Sequence, residues 1–381
     1  MSVHLPSGTP PLVAGAMARI ERRLPHPGEV LVRVGQRVEP DEVVARAFVP
    51  GTPRIVNLAR ALSVAPSRVE RAMRREVGNK VAQGEVLAST GTLGGRTCLS
   101  PVDGVIAMVD GETGYVTIVP DPATVELQAT VRGIVMEVLP YEGVRIETPA
   151  AQVYGVFGFG PERAGVLRLL VTDPSEPILP EHLDARSAYA IVIGGSGISA
   201  TALQRAVKEQ VRGVIVGGVD EAELRAFLGW DSPARWRTGV RTWRFPAPER
   251  EHELTLVVTE GFGVRPMSSP LFELLASHDR QEALIEGVTQ LAGPLRRPRV
   301  VIPLSARTAG IQIDPPRPAL RPGATVRLLD HEHMGQVGRV RAVPGAPRRL
   351  AASRVRVAAV EVIQEDTTAL TLPRTAVEVL S

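Results

Sequence analysis

A twelve-residue segment occurs twice near the start of the chain, at an offset of 43 residues. Residues 34–45 read VGQRVEPDEVVA and residues 77–88 read VGNKVAQGEVLA, with six identical positions. Both copies mix valine with turn-forming glycine, asparagine, aspartate or proline, which is typical of short β-strands joined by tight turns. We therefore interpret the pair as the two copies of a duplicated half of a small β-sandwich.

Further short segments around both copies predict the same kind of structure. We predict strands over residues 29–34, 43–48, 85–89, 104–109 and 115–119, each bounded by Gly, Pro, Asn or Asp. Residues 53–76 instead carry apolar side chains at helical spacing, which predicts a helical insertion. Residues 133–138 repeat the pattern of residues 104–109, a glycine followed by a mostly apolar strand. The sequence thus predicts a β-domain over residues 1–125 and a linking β-hairpin over residues 126–152.

The two copies, together with Ser100-Pro101-Val102-Asp103-Gly104-Val105-Ile106, resemble the barrel-sandwich hybrid fold of biotinyl and lipoyl carrier domains. In those carriers the modified lysine sits in an exposed hairpin, often flanked by methionines. Here Lys80 lies inside the second copy, at the position that Arg37 takes in the first. The resemblance therefore implies a scaffold, like the lysine-free members in adaptor, electron-transport and RNA polymerase subunits. The single cysteine, Cys98, excludes multi-cysteine zinc and Cys-ligated iron–sulfur sites, and we expect no cofactor and no metal.

The middle of the chain alternates strand and helix patterns, which predicts an α/β domain with a mainly parallel sheet over residues 153–312. We predict strands at residues 165–171, 189–193, 213–216, 253–258 and 299–303, and helices at 199–210, 221–228, 270–277 and 279–291. Residues 230–251 fit neither period and hold all three tryptophans among arginines. They form either a cover for the sheet edge or a partner surface.

Three predicted strands of this domain run into glycine. Ligands of open α/β sheets bind beyond the carboxyl ends of strands, and helix amino termini favour anions. Tight packing turns explain the glycines equally well, and neither a dinucleotide fingerprint nor a Walker loop is present. We expect no catalytic residue. The candidate residues for a small anionic ligand are Gly194, Gly195, Ser196, Gly197, Ser199, Gly217, Gly218, Thr259, Glu260 and Gly261.

The tail, residues 313–381, follows a proline-rich linker at residues 314–318 and returns to short strands. Pro322-Gly323, Val326-Arg327-Leu328 and Gly335-Gln336-Val337-Gly338-Arg339-Val340 resemble a KOW module, the SH3-like barrel motif of several ribosomal proteins and NusG-class transcription factors. In that family the barrel loops commonly contact RNA or a large protein partner. Asp330-His331-Glu332-His333 lacks an identifiable third metal ligand nearby and is interpreted as a polar turn.

The tail is also the basic part of the protein, with nine arginines against two acidic residues over residues 315–356. Arginine replaces lysine along the whole chain, which has two lysines among 44 basic residues, so the bias also reflects genome composition or heat adaptation. The excess would supply phosphate contacts, and the alternative is an ordinary solvated face. The candidate nucleic-acid-binding residues are Arg327, Arg339, Arg341, Arg348 and Arg349.

Two hypotheses follow for a chain that we expect to be cytoplasmic, because no signal peptide or membrane-spanning run is recognisable. The first is a non-enzymatic binding or scaffold protein of mixed multidomain fold: a barrel-sandwich hybrid, an α/β domain and a small SH3-like β-barrel. Its partner would be RNA, a ribonucleoprotein or a polymerase, reached through the barrel. The second is an α/β ligand-binding protein or enzyme that acts on a small phosphorylated or carboxylated molecule at the glycine turns.

Overall fold

A computed structural model describes residues 12–91, 95–229, 254–289, 297–304, 319–351, 354–364 and 368–380. The fold is mostly β and includes a large mixed sheet. The chain divides into two compact units. The amino-terminal unit comprises Glu21–Ala129 and Ile134–Ile146, and the carboxy-terminal unit consists mainly of Glu147–Ser381. The predicted loop at 230–251 and the predicted linker at 314–318 lie outside the described residues.

The first part of the chain forms thirteen strands and two short helices within the described residues. The strands are β1 (Leu12–Arg23), β2 (Glu29–Val30), β3 (Arg37–Val38), β4 (Val43–Val49), β5 (Arg54–Asn57), β6 (Lys80–Val81), β7 (Val86–Ser89), β8 (Thr97–Leu99), β9 (Gly104–Val109), β10 (Tyr115–Val119), β11 (Ala123–Gln128), β12 (Gly133–Leu139) and β13 (Gly143–Tyr154). The helices are α1 (Leu58–Leu62) and α2 (Val69–Ala72), with a 3₁₀ turn at Pro66–Arg68 before α2.

These strands form two modules of the same design, one inserted into the other. The outer module contains the strand order β1-β13-β12-β3 and the pair β4-β11, and the inner module contains β5-β10-β9-β6 and the pair β7-β8. The two hairpin pairs even share their register. In the outer module Val43, Ala45 and Arg46 lie opposite Gln128, Leu127 and Glu126, and in the inner module Val86, Ala88 and Ser89 lie opposite Leu99, Cys98 and Thr97.

The repeated segment makes the same backbone contacts in both modules. The amide of Gly35 donates to the carbonyl of Val135 at 2.7 Å, and the amide of Gly78 donates to that of Ile106 at 2.7 Å. Both glycines adopt positive φ, +83° and +91°, a conformation that favours glycine. The repeat therefore encodes a turn that docks on the glycine-led strand of its own module.

This arrangement changes two of the predicted boundaries. Residues 126–152 contain a hairpin of β12 and β13, but it belongs to the outer module, because β12 also pairs with β3 and β11 pairs with β4. The predicted insertion at 53–76 is helical only from Leu58 to Ala72, and β5 before it pairs with β10. Leu58, Leu62 and Val69 of this segment are buried in the inner module's core. The unit that is inserted is thus the whole inner module.

The α/β part of the carboxy-terminal unit contains seven further strands and three helices among its described residues. They are β14 (Phe157–Phe159), β15 (Arg163–Leu169), β16 (Ala190–Ile193), α3 (Ala200–Lys208), β17 (Gly213–Val219), α4 (Glu221–Leu228), β18 (Thr255–Phe262), α5 (Ser269–Ser277), β19 (Glu282–Glu286) and β20 (Arg299–Pro303). The strand order is β14-β18-β17-β16-β15-β19-β20-β13. Strands β15 to β18 are parallel and the remaining pairs are antiparallel, so the sheet is mixed instead of mainly parallel.

Apolar residues cover both faces of this sheet. Helices α3 and α4 pack on one face, where Leu203 and Leu224 are buried with Val214, and α5 packs on the other, where Leu275 is buried with Ile215. The consecutive order of β15 to β18 places both crossover helices on the same face, as expected for right-handed connections.

The predicted helix over residues 279–291 is wrong. Residues 282–286 form β19, which pairs antiparallel with both β15 and β20. Ala283, Leu284 and Ile285 are buried there. A short apolar run fits a buried strand or a helix equally well, and the two neighbouring strands decide the outcome.

The tail forms a compact antiparallel β-structure within the carboxy-terminal unit. Its strands are β21 (Thr325–Leu328), β22 (Val337–Ala342), β23 (Arg348–Arg349), β24 (Arg356–Val357), β25 (Ala359–Gln364), β26 (Ala369–Pro373) and β27 (Val377–Val379). The main sheet has the order β26-β25-β22-β21-β27, and a 3₁₀ turn at Arg374–Ala376 precedes β27. Strands β23 and β24 form a separate hairpin between β22 and β25. The core of the tail contains Val326, Val340, Val360 and Val362.

Candidate functional site

The glycine-rich turns lie at the carboxyl ends of the parallel strands, as predicted. Gly194-Gly195-Ser196-Gly197 follow β16 directly, but the other two groups lie within strands. Gly217 and Gly218 belong to β17, and Thr259, Glu260 and Gly261 belong to β18. The side chains of Ser196 and Thr259 are buried, with 1% and 0% exposure.

Backbone from two loops packs directly against these glycines. A β-carbon on Gly195 would lie 2.6 Å from the carbonyl oxygens of Pro174 and Glu176, and one on Gly217 would lie 2.2 Å from that of Arg265. The Gly218 position is similarly closed, 2.1 Å from the carbonyl oxygen of Gly263. Close packing accounts for these glycines, and ligand binding at the turns stays a prediction.

The helix amino termini beyond these strands already hold carboxylates of the chain itself. Glu223 accepts a hydrogen bond from the Ala200 amide at 2.7 Å, in the first turn of α3, whose N-cap is Ser199. Glu260 accepts from the Ser268 amide at 3.1 Å, at the start of α5. Helix amino termini attract anions, and here the carboxylates of Glu223 and Glu260 occupy those positions.

Glu260 also belongs to a buried network of four charged side chains. Arg327 of β21 pairs with Glu260 and lies 3.3 Å from Glu378 of β27, and Arg297 lies 2.6 Å from the other oxygen of Glu378 as an ion pair. Arg327 also donates to the carbonyl of Thr259 at 2.9 Å. Arg327 is only 8% exposed, so the prediction that it contacts nucleic acid must be corrected. It instead links β21 of the tail to β18.

Two glycines explain why this junction fits so closely. Gly261 has φ +142°, and a β-carbon there would lie 2.6 Å from the α-carbon of Gly335. Gly335 has φ +87°, and its own β-carbon would meet the carbonyl oxygen of Glu260 at 2.4 Å. Gly338 differs, because its backbone is an ordinary strand and its β-carbon would collide with Val362. Glycine at 335 thus serves the junction as well as the turn.

The other predicted nucleic-acid contacts lie on the surface of the tail, which the sequence predicts to be a small barrel. Arg339 and Arg341 are exposed on β22, on either side of the buried Val340, and Arg348 and Arg349 are exposed on β23. Strand β24 and the turn before it add two exposed arginines that the sequence pattern did not single out, Arg354 and Arg356. Arg356 lies directly opposite Arg349 in the hairpin of β23 and β24. We call these six residues the barrel arginines.

The segment at residues 330–333, which the sequence predicts to be a polar turn, forms a turn in the structure. Asp330 precedes a 3₁₀ turn at His331–His333 and contacts the Nδ1 atom of His333 at 2.5 Å. Burial raises the pKa of the Asp330 carboxyl above its usual range, although the hydrogen bond from His333 opposes that shift. Among the described residues no group of three or more His, Cys, Asp or Glu is arranged to hold a metal ion.

Lys80 occupies the same structural position as its counterpart Arg37, which begins β3. It begins β6, its side chain is largely exposed, and its ammonium lies 3.0 Å from Asp121. Cys98 lies in β8 at the paired position of Ala88, and burial raises the pKa of its thiol. A raised pKa makes the reactive thiolate scarcer.

Comparison with known proteins adds no family to this description. No family model matches the chain, and no curated protein matches it. Within the part of the chain that the structure describes, every helix is too short or too polar to cross a membrane.

Proposed function

We propose that this chain is a non-enzymatic scaffold protein whose carboxy-terminal barrel contacts RNA through the barrel arginines. Two features support this proposal. The strand order β26-β25-β22-β21-β27, with a 3₁₀ turn before the last strand, is the order expected of an SH3-like barrel. The tail's sequence resembles the KOW modules of RNA-associated proteins, and the nested modules of the amino-terminal unit suit a scaffold.

The observation that carries the proposal is the state of the barrel arginines. All six are exposed, and within the described residues none of them forms an ion pair. Some other arginines of the chain are compensated, such as Arg75 by Glu85 and Arg299 by Glu286. Uncompensated guanidinium groups on one small domain produce a positive potential that attracts phosphates.

Their placement suits a backbone contact with nucleic acid. Arg339 and Arg341 are both exposed on either side of the buried Val340, at a point where the register of β22 against β25 shifts. Arg348, Arg349 and Arg356 extend the basic surface along a two-stranded hairpin. Guanidinium groups bind phosphate oxygens in pairs of hydrogen bonds, but such contacts carry little sequence information. We therefore expect RNA binding with low sequence specificity.

The proposal is tested by fluorescence anisotropy with labelled single-stranded and duplex RNA over a salt series. A variant that combines Arg339→Gln, Arg341→Gln, Arg348→Gln and Arg349→Gln removes four exposed charges and no buried contact. We expect weaker binding, and with single-stranded RNA a salt slope that falls by about 0.7 for each phosphate that the variant no longer neutralises.

The matched control removes four exposed arginines from the inner module. It combines Arg54→Gln, Arg60→Gln, Arg68→Gln and Arg71→Gln, which gives the same loss of net charge. This control should retain the salt slope of the wild type. Equal losses in both variants would show a general charge effect, and loss only in the control would place the binding surface on the helical segment. Either result overturns the proposal, as does an absence of RNA binding at low salt.

A further inference from the structure

A cavity of about 350 Å³ lies on the α/β part of the carboxy-terminal unit, and none of the glycine-rich turns lines it. It opens beside the start of β16, where β15 and the residues before β19 form its other walls. Its volume lies at the lower end of the range of small-molecule sites, about 300 to 1,000 Å³. It is lined by Val166, Leu167, Arg168, Leu169, Arg186, Ala188, Tyr189, Ala190, Asp279 and Arg280.

Two arginines of this cavity have guanidinium groups that are largely exposed to solvent. The side chains of Arg186 and Arg280 are 85% and 90% exposed, and their guanidinium groups lie 3.6 and 3.5 Å from Asp184 and Asp279. Those aspartates have closer partners. Asp184 lies 2.9 Å from Arg168, and Asp279 accepts the Leu169 amide at 2.9 Å. The cavity is therefore positive and offers two arginines to an incoming anion.

An aromatic ring stands next to these arginines. Tyr189 is 57% exposed, and the guanidinium carbon of Arg212 lies 5.3 Å from its ring centre. Arg212 is itself held by a 2.6 Å hydrogen bond to the Ala164 carbonyl. A cation held near the ring fixes the tyrosine in place, while the exposed part of the ring can stack on a planar group.

The backbone at this cavity is strained at two lining residues. Tyr189 has φ +61° and Arg280 has φ +64°, the left-handed region that bulky side chains rarely adopt. Strain of this kind persists where the surrounding structure enforces it. The two strained positions carry the ring and one of the exposed guanidinium groups.

We propose that this cavity binds a nucleoside monophosphate, with the base against Tyr189 and the phosphate between Arg186 and Arg280. A planar aromatic group with a doubly charged anion matches the ring and the two guanidinium groups together. The apolar lining of Val166, Ala188 and Ala190 contacts the rest of a small ligand. The proposal is independent of RNA binding by the barrel.

Isothermal titration calorimetry of the full chain tests it with AMP, GMP, CMP and UMP, and with adenosine and inorganic phosphate as separate titrations. We expect at least one nucleotide to bind at least ten-fold more tightly than adenosine or phosphate. Arg186→Gln changes only an exposed side chain and should weaken that nucleotide by ten-fold or more. Tyr189→Asn should do the same, because asparagine tolerates the left-handed backbone.

The chain provides a matched control for the tyrosine. Tyr141 is 73% exposed with φ +62°, so Tyr141→Asn makes the same chemical change at an equally left-handed position outside the cavity. This variant, and the four-arginine barrel variant, should bind the nucleotide as the wild type does. Failure of all four nucleotides to bind at millimolar concentration overturns the proposal. So does phosphate that binds as tightly as the nucleotide, or wild-type affinity in Arg186→Gln.

Discussion

Replacing Arg327 by methionine should destabilise the carboxy-terminal unit far more than an ordinary arginine substitution. Arg327→Met keeps the long side chain but removes both ion pairs and the hydrogen bond to the Thr259 carbonyl. Glu260 then keeps the Ser268 amide, and Glu378 keeps Arg297. A network of two positive and two negative groups becomes a buried site with an excess negative charge.

The expected size follows from the burial of the partners. The side chains of Arg327, Glu260 and Glu378 are 9%, 11% and 1% exposed, so water cannot replace the missing guanidinium group. Removing one partner of a buried ion pair costs about 3 to 5 kcal/mol, because the other charge stays buried. At 2 to 4 °C per kcal/mol for a unit of this size, the melting temperature should fall by about 6 to 20 °C.

Urea unfolding and calorimetry measure this loss, and hydrogen exchange of β21 and β27 locates it. Adding Glu260→Gln to Arg327→Met removes the excess charge while an amide oxygen remains for Ser268. We expect the double variant to recover about 1 to 3 kcal/mol as a coupling energy. Arg225→Met, which removes a surface helix pair with Glu221 at 3.6 Å, should cost about 0.5 kcal/mol or less. A loss in Arg327→Met no larger than this control would refute the reasoning.

Three further predictions concern the tail and the two modules. The raised pKa of Asp330 means that the folded state binds its proton more tightly than the unfolded state, so the stability it contributes is greatest at acidic pH and falls as pH rises through the folded pKa. Asp330→Asn should therefore gain stability relative to the wild type as pH increases. A difference in urea midpoint between the two proteins that stays constant from pH 4 to 7 would contradict this. Gly35→Ala and Gly78→Ala should each cost about 1 to 2 kcal/mol from backbone strain alone, because no atom lies within 4 Å of either added methyl group; unequal losses in urea would contradict the shared design. Replacing residues 50–122 by Asn-Gly should leave a folded chain, because Val49 and Ala123 are paired across the gap and a two-residue turn joins such positions; loss of cooperative melting by circular dichroism would contradict it.

Sequence patterns predicted most strands where the local signal agreed with the tertiary structure. Strands β9, β10 and β20 and helix α4 begin and end at the predicted residues. The error at residues 279–291 arose because Ala283, Leu284 and Ile285 form a run too short to show a period. The neighbouring strand β15 lies far away in sequence and β20 follows only after residues 287–298, and pairing with both determines the strand.

The sequence predicted the basic character of the candidate site, but it did not predict which of its arginines are exposed and which are buried. The density of arginine in the tail indicated a basic surface, and Arg339, Arg341, Arg348 and Arg349 are exposed. Arg327 has the same side chain in the same segment and is buried, because its partners Glu260 and Glu378 come from β18 and β27. A pairing between residues 67 positions apart leaves no local trace in the sequence. The cavity beside Tyr189 was missed for a similar reason, since its walls come from three separate segments.

The order of the repeated segments along the chain distinguishes nesting from tandem duplication. The twelve-residue copies come first, at residues 34 and 77, and the glycine-led strands follow at 104 and 133. A tandem duplication would place each glycine-led strand directly after its own copy. Here the second copy pairs with the first glycine-led strand, β6 with β9, and the first copy pairs with the second, β3 with β12.

An insertion of this kind requires that the ends of the inner module meet at the tip of the outer hairpin. A β-carbon on Gly51 would lie 2.6 Å from the β-carbon of Pro120, so the two connecting segments touch. Adjacent ends let the inner module occupy a hairpin tip, where insertions are best tolerated, without stretching β4 or β11. The resemblance to carrier domains stays a prediction, and it concerns each module by itself. In the carriers the modified lysine sits in an exposed hairpin, whereas the tip of the outer hairpin here holds the entire inner module.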